Sequence, residues 1–238
     1  MHKIFLDIET SPLLGYSWEL YDTNVLKVQK QRELMSFAYK IDDGRVICHS
    51  LRKNSTKELL ERLATLLNEA DIVIGHNSKA FDIKMINSFL IHEGFTPPKP
   101  YKQIDTLQIA RSKFRFASNH LNDLGEYLGC GEKVKTGGID LWFKCMAGNK
   151  DAWKKMEEYN CRDVELLEKV YNKLVPWADN TPFVELGMTC PACGSANLER
   201  RGWNINKVFL CRRLQCKSCG KWTQSSNKIK HNNKEYAR

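Results

Sequence analysis

Nowhere in the 238 residues does an apolar run approach the length of about 20 residues that a membrane span needs. The opening Met-His-Lys-Ile-Phe-Leu-Asp reaches its first acid too soon for a signal sequence. No internal repeat is present, which excludes solenoids and propellers. Acid is scarce toward the C-terminus: from Leu186 onward there are 2 acidic and 11 basic residues, whereas the preceding 185 residues hold 26 of each. The net charge of +9 therefore belongs to the last 53 residues alone, which points to a polyanionic partner for that part of the chain. With 42% hydrophobic and 27% charged residues, disordered and collagen-like classes are excluded as well.

Cysteine is unevenly spread. Cys190, Cys193, Cys211, Cys216 and Cys219 fall within 30 residues, while Cys48, Cys130, Cys145 and Cys161 are scattered. An odd total of nine, without a signal sequence, indicates a reducing compartment in which clustered thiols hold metal rather than pair as disulfides. A soluble, intracellular protein with no membrane association is expected.

Lys3 to Glu9 is β-branched and aromatic and stops at Thr10-Ser11-Pro12, as a buried strand does. Strands at 34–41 and 46–51 around the Asp42-Asp43-Gly44 turn complete an opening three-strand meander. Leucines at helical spacing predict a helix over 56–68, followed by a buried strand, Ile72 to Gly75. A helix over 81–92, a strand over 101–106 and a long helix over 151–174 follow. Strands first, then helices alternating with strands, predict an α/β layered, mixed sheet with flanking helices over 1–178. The turn-rich stretch 178–187 is the expected boundary, a small module covers 186–224, and 225–238 reads as a basic, disordered tail.

Asp7 and Glu9 lie two apart on the first strand, so both side chains leave the same face, at the strand end where open α/β sheets place their sites. Two such carboxylates repel unless a cation sits between them. Read alone, the pair is weak evidence, and a solvated strand end explains it better. Asp82 falls in the first turn of a helix, where an acid is also a plain helix-start signal. Tyr159 and Asp163 are four apart, on one face of the long helix, and Asp163 alone reads as a surface acid.

Taken together, the three segments match a known pattern. Asp7-Ile8-Glu9, Asn77 with Phe81-Asp82, and Tyr159 with Asp163 resemble, in order and spacing, the three motifs of the DEDDy 3′-to-5′ exonucleases of the ribonuclease-H-like (DnaQ-like) superfamily. The resemblance covers about residues 1–178. Phe-Asp-Ile-Lys, Asn-His-Leu-Asn-Asp-Leu-Gly and Gly-Gly-Ile-Asp-Leu-Trp make the chain similar to stand-alone phage and bacterial forms carrying a C-terminal zinc ribbon, which implies the cytoplasm of a bacterial or phage-infected cell.

The resemblance implies phosphodiester hydrolysis with two Mg²⁺ or Mn²⁺ ions. Asp7 would bridge both ions, Glu9 and Asp163 would hold the nucleophile-side ion, and Asp82 would act through the water shell of the other. Tyr159 would orient the attacking water, being too weak a base to deprotonate it. A sister subgroup uses His in its place, and no His lies four or five residues before Asp163. Thr10, Leu13 and Leu14 occupy the positions at which related enzymes hold the terminal nucleotide, and loop and core roles fit them equally. Asn77 and Phe81 are further substrate-side candidates. Tyr16, Trp18 and Tyr21, followed by Lys27, Lys30 and Arg32, form either a stacking and phosphate-binding strip or ordinary packing. Residues 113–135, with Arg115, Asn119 and Lys133, border the site or are a solvated face.

Cys190-Pro-Ala-Cys193-Gly and Cys216-Lys-Ser-Cys219-Gly are two knuckles 22 residues apart, a spacing that directs four thiolates at one structural Zn²⁺. Cys211 fits neither knuckle. A short strand pair around Trp203 and 208–214 is expected, with zinc supplying the folding energy. Arg200, Arg201, Lys207, Arg212, Arg213, Lys217 and Lys221, interleaved with Trp203, Phe209 and Trp222, favour nucleic-acid backbone with base stacking; a zinc-stapled lid is the other reading.

These expectations describe a monomeric, metal-dependent 3′-to-5′ exonuclease of single-stranded DNA. RNA processing, structure-specific cleavage, or service as a nucleic-acid-binding accessory of replication or repair proteins are the alternatives.

Overall fold

The computed structural model describes residues 2–21, 24–131, 137–179, 189–205 and 209–230. The expected boundary thus falls largely on 180–188, outside the described residues, as do Lys133, Lys207, Val208 and the last eight residues of the expected tail.

Five strands form the main sheet in the order β5-β4-β1-β6-β7: β1 (Lys3–Thr10), β4 (Leu34–Ile41), β5 (Ile47–Ser50), β6 (Ile72–Gly75) and β7 (Lys102–Asp105). β1 pairs antiparallel with β4 and parallel with β6, so the sheet is mixed as expected. Alternation along β1 divides the core. Ile4, Leu6 and Ile8 pack with α1 (Thr56–Glu69) and α2 (Asp82–His92), while Phe5 faces α6 (Lys150–Leu174), its ring edge-on to Tyr171 at 5.4 Å. Asp7 and Glu9 continue the Phe5 face. Ser55 caps α1 in a reciprocal capping box with Glu58, and Asn149 caps α6 by accepting from the backbone N–H groups of Asp151 and Ala152.

The opening meander is interrupted. Between β1 and β4 the chain forms a separate hairpin, β2 (Leu14–Tyr16) with β3 (Lys27–Lys30). Three short helices also escape the sequence pattern: α3 (Thr106–Lys113), α4 (Leu121–Tyr127) and α5 (Asp140–Met146).

The cysteine-rich module has three antiparallel strands rather than a pair: β8 (Leu198–Ile205), β9 (Phe209–Cys216) and β10 (Trp222–Lys230). β10 corrects the expected tail, since residues 225–230 are strand. Pairing with β9 is irregular after Gln224, where Ser225 Oγ accepts from the Arg212 N–H at 3.2 Å, and resumes with Lys228 opposite Cys211 and Lys230 opposite Phe209. Ala192 packs against the core under α6, and the buried Lys221 ammonium donates to the Ala178 carbonyl. Among the described residues no helix is long and apolar enough to cross a membrane.

Candidate active site and metal centres

β1 and α6 bring Asp7, Glu9 and Asp163 together: one carboxylate oxygen from each lies within 4.8 Å of the others. Asp163 is buried, and the other two are half-buried. Three carboxylates at this separation form an all-oxygen donor set suited to hard divalent cations, and they fit the metals that the motif order implies.

Tyr159 stands one turn before Asp163, with its ring edge-on to Trp142. Burial, then the negative charges of Asp163, Glu9 and Asp7, push its phenol well above the ordinary tyrosine range. Held in its protonated form, it can offer a hydrogen bond rather than act as a base. Asp82 lies outside the three-acid group. Its Oδ1 accepts from the backbone N–H of Ile8, between Asp7 and Glu9, at 3.3 Å. Burial raises its carboxyl to about 6; the N–H groups of Asp82 and Ile8 oppose the shift and the neighbouring Asp105 adds to it.

Two residues that the sequence did not single out hold this arrangement. Asn160, fully buried, donates from Nδ2 to Asp7 Oδ2 at 2.7 Å and to the Asp7 carbonyl at 3.3 Å, while its Oδ1 accepts from Ser36 Oγ at 3.0 Å. Asp105, also buried, gathers the backbone N–H groups of Asn77 (2.9 Å), Lys79 (3.1 Å) and Leu107 (3.0 Å). This carboxylate pins the turn that leads from β6 into α2 and so fixes where Asp82 begins its helix. Gly75 opens that turn, and a Cβ there would meet Ser78 Cβ at 2.4 Å and Leu6 O at 3.3 Å. Asn77 follows with φ of 63°, a conformation asparagine tolerates better than most residues. A signal for Asn160 was its place between Tyr159 and Asp163, on the inward side of α6. Asp105 gave the ordinary N-cap signal of α3.

The remaining substrate-side candidates are dispersed. Thr10 and Phe81 are half-buried, Asn77 is exposed, and Leu13 and Leu14 are exposed on the approach to the β2–β3 hairpin. Arg200, Arg201, Arg212 and Arg213 are exposed on the C-terminal sheet, where the Arg212 guanidinium sits 3.8 Å from the centre of the Trp203 ring.

The second cluster consists of Cys190, Cys193, Cys216 and Cys219, whose sulfurs all lie within 4.8 Å of one another. Cys190 and Cys219 are 3.6 Å apart, and Cys193 and Cys216 are 3.7 Å apart. A tetrahedron with zinc–sulfur bonds of about 2.3 Å has edges of about 3.8 Å, close to these two separations, so the four thiols could hold a metal ion. Burial pushes the Cys216 thiol up, but the amides of Cys219 and Ser218 and the neighbouring thiols outweigh it and bring it down to about 7. Cys211 is buried on β9, outside the group.

No curated protein matches the chain. Among solved structures, it is similar in fold to the family B DNA polymerase from the hyperthermophilic archaeon Pyrobaculum calidifontis, with a TM-score of 0.56 and 17% identity. The match covers 74% of this chain and only 24% of the polymerase chain. The family model for the RNase_H superfamily matches residues 4–175, which takes in all five strands of the main sheet together with Asp7, Glu9, Asp82, Tyr159 and Asp163. The chain belongs to the RNase_H superfamily.

Proposed function

We propose that the protein is a metal-dependent 3′-to-5′ exonuclease of the DEDDy type, acting on single-stranded DNA, with a zinc ribbon that binds nucleic acid. The observation that carries this reading is the convergence of Asp7, Glu9 and Asp163 within 4.8 Å in a superfamily fold, with Tyr159 beside them. Asp7, Glu9 and Asp163 would hold two Mg²⁺ or Mn²⁺ ions, with Asp82 contributing through water. Ions bound there supply Lewis-acid stabilisation of the charge on the scissile phosphate and lower the pKa of the attacking water.

The chain's own groups then have distinct tasks. Asn160 holds the Asp7 carboxylate in place by a charge-assisted hydrogen bond to Oδ2, and so fixes how Asp7 is presented beside Glu9 and Asp163. The Tyr159 hydroxyl is hydrogen-bonded to Asp163, and with ions on the carboxylates it would turn to orient the attacking water as a donor rather than as a base. The N–H of Ile8 and the Asp105-pinned turn hold Asp82 against the strand. Likeness to a DNA polymerase supports DNA over RNA as substrate. The four cysteines would hold one structural zinc, since a Cys₄ set leaves no open coordination position for catalysis.

The test is 5′-labelled single-stranded DNA and RNA incubated with Mg²⁺ or Mn²⁺ and the purified protein or its Asp7→Ala variant. A ladder shortening from the 3′ end, absent in the variant, is expected. Cleavage unaffected by Asp7→Ala, or no cleavage of either polymer, rules the reading out.

A further inference from the structure

Nine of the eighteen large hydrophobic side chains exposed among the described residues fall within residues 13–28. Single exposed apolar residues are ordinary, but a contiguous set marks a surface that meets something. At its centre Trp18 is 86% exposed, Leu20 91% and Tyr21 85%, in the loop that joins β2 to β3.

The hairpin's register arranges this surface further. Tyr16 pairs with Lys27 and Gly15 with Val28, so unbroken pairing would set Leu14 against Gln29. A bulge shifts the register and sets Leu14 against Lys30 instead. Residues directly opposite share a face of an antiparallel pair, as do residues two apart on one strand. One face of the hairpin thus carries Leu14, Tyr16, Lys27 and Lys30, with an apolar or aromatic group beside an ammonium at each step. Lys30 pairs with Glu33 at 3.0 Å, an exposed contact of the kind that yields readily to a competing anion. Arg32 follows two residues beyond the end of β3.

The position of the hairpin is set by connectivity. β1 and β4 are paired neighbours, and the hairpin is the connection between them at the end of β1 that carries Glu9. Ser11 closes its base by donating its N–H to the Glu33 carbonyl at 2.9 Å and accepting from the Glu33 N–H through Oγ at 2.9 Å. Tyr16 is seven positions after Glu9, so its backbone lies within about 25 Å of that of Glu9, a span of a few nucleotides.

Resting on the nuclease reading above, we infer that the β2–β3 hairpin is an arm that holds the single strand entering the carboxylate site, stacking bases on Tyr16, Trp18 and Tyr21 and meeting phosphates with Lys27, Lys30 and Arg32. Alternation of aromatic and cationic groups is the chemistry of single-stranded nucleic acid, which offers a π-face and a phosphate at every step. A protein groove would reward the apolar groups but not the two lysines that the register places beside them.

The full chain serves for the test. In an Asp7→Ala background, binding of a labelled oligothymidylate of about 20 nucleotides is followed by anisotropy across a salt series. Trp18→Ala and Tyr21→Ala should each weaken binding about tenfold, and Trp18→Phe should retain most of it. Lys27→Gln with Lys30→Gln should lower the salt slope by about 1.4. In the otherwise wild-type chain, hydrolysis of thymidine 5′-monophosphate p-nitrophenyl ester, too small to reach the arm, should be the same with and without the hairpin substitutions. Binding lost on substitution while no form cleaves the ester supports the arm and removes the nuclease reading. Binding unchanged in both Trp18→Ala and Tyr21→Ala, with melting curves matching the parent, overturns the proposal and leaves the hairpin to a protein partner.

Discussion

Replacing Asn160 by Ala removes a fully buried side chain that touches Asp7 on one side and the fully buried Ser36 on the other. The 2.7 Å bond to the Asp7 carboxylate is charge-assisted and contributes about 1.5–3 kcal/mol. Ser36 is fully buried, and a hydroxyl that loses its acceptor there costs about 1–3 kcal/mol more. Asn160→Ala should therefore destabilise the protein by about 4 kcal/mol, a large share of an ordinary domain's stability, yet short of abolishing the fold. Adding Ser36→Ala removes the stranded hydroxyl, so the double variant should recover about 1–2 kcal/mol relative to the sum of the singles. Urea unfolding of the four proteins in the cycle gives these values directly. An Asn160→Ala loss below about 1 kcal/mol, or strict additivity with Ser36→Ala, would show that the amide is not the brace described here. The same variant should bind Mn²⁺ about 10- to 100-fold more weakly, because Asp7 loses the partner that orients it.

Other substitutions probe the remaining parts. Gly75→Ala forces a Cβ to 2.4 Å from Ser78 Cβ, and should cost about 1–3 kcal/mol in urea unfolding while displacing Asp82 and slowing cleavage; a neutral effect on both would refute the close approach. Tyr159→Phe should lower the cleavage rate with Mn²⁺ affinity unchanged. In the metal-free protein burial and the three carboxylates hold the phenol protonated, so tyrosinate absorbance should not differ between wild type and Tyr159→Phe up to about pH 10, and an ionisation below that, absent in Tyr159→Phe, would contradict this reading. Native protein should contain one zinc per chain by elemental analysis, lost in the Cys190→Ser, Cys216→Ser double variant but retained in Cys211→Ser.

The central strand and the long helix were legible because each carries a periodic apolar face many residues long. Ile4, Leu6 and Ile8 alternate against Phe5, Asp7 and Glu9, and Val164, Leu167, Val170 and Leu174 trace one side of α6. The knuckles were legible because metal-ligand spacing is a local property. What escaped has a physical reason in each case. Helices α3 to α5 have only seven or eight residues, too few for a period of 3.6 to declare itself. β2 and β3 are exposed on both faces and have no core-facing alternation to read. β10 is a strand because β9 offers it an edge, not because Trp222 to Lys230 favours one. Asp105 and Asn160 act on partners 26 and 153 residues away in sequence, so their roles exist only once the sheet and helices have assembled.

Everything said of the reaction depends on Asp7, Glu9 and Asp163 forming a divalent-cation site. Titration of the full chain with Mn²⁺, reading free ion by electron paramagnetic resonance, tests this most directly when wild type is set beside Asp7→Ala and Asp163→Ala. Saturable binding by the wild type, abolished or sharply weakened in both variants although they lie on different elements, is the predicted result. Binding unchanged in either variant, or no saturable binding by the wild type, would contradict the account.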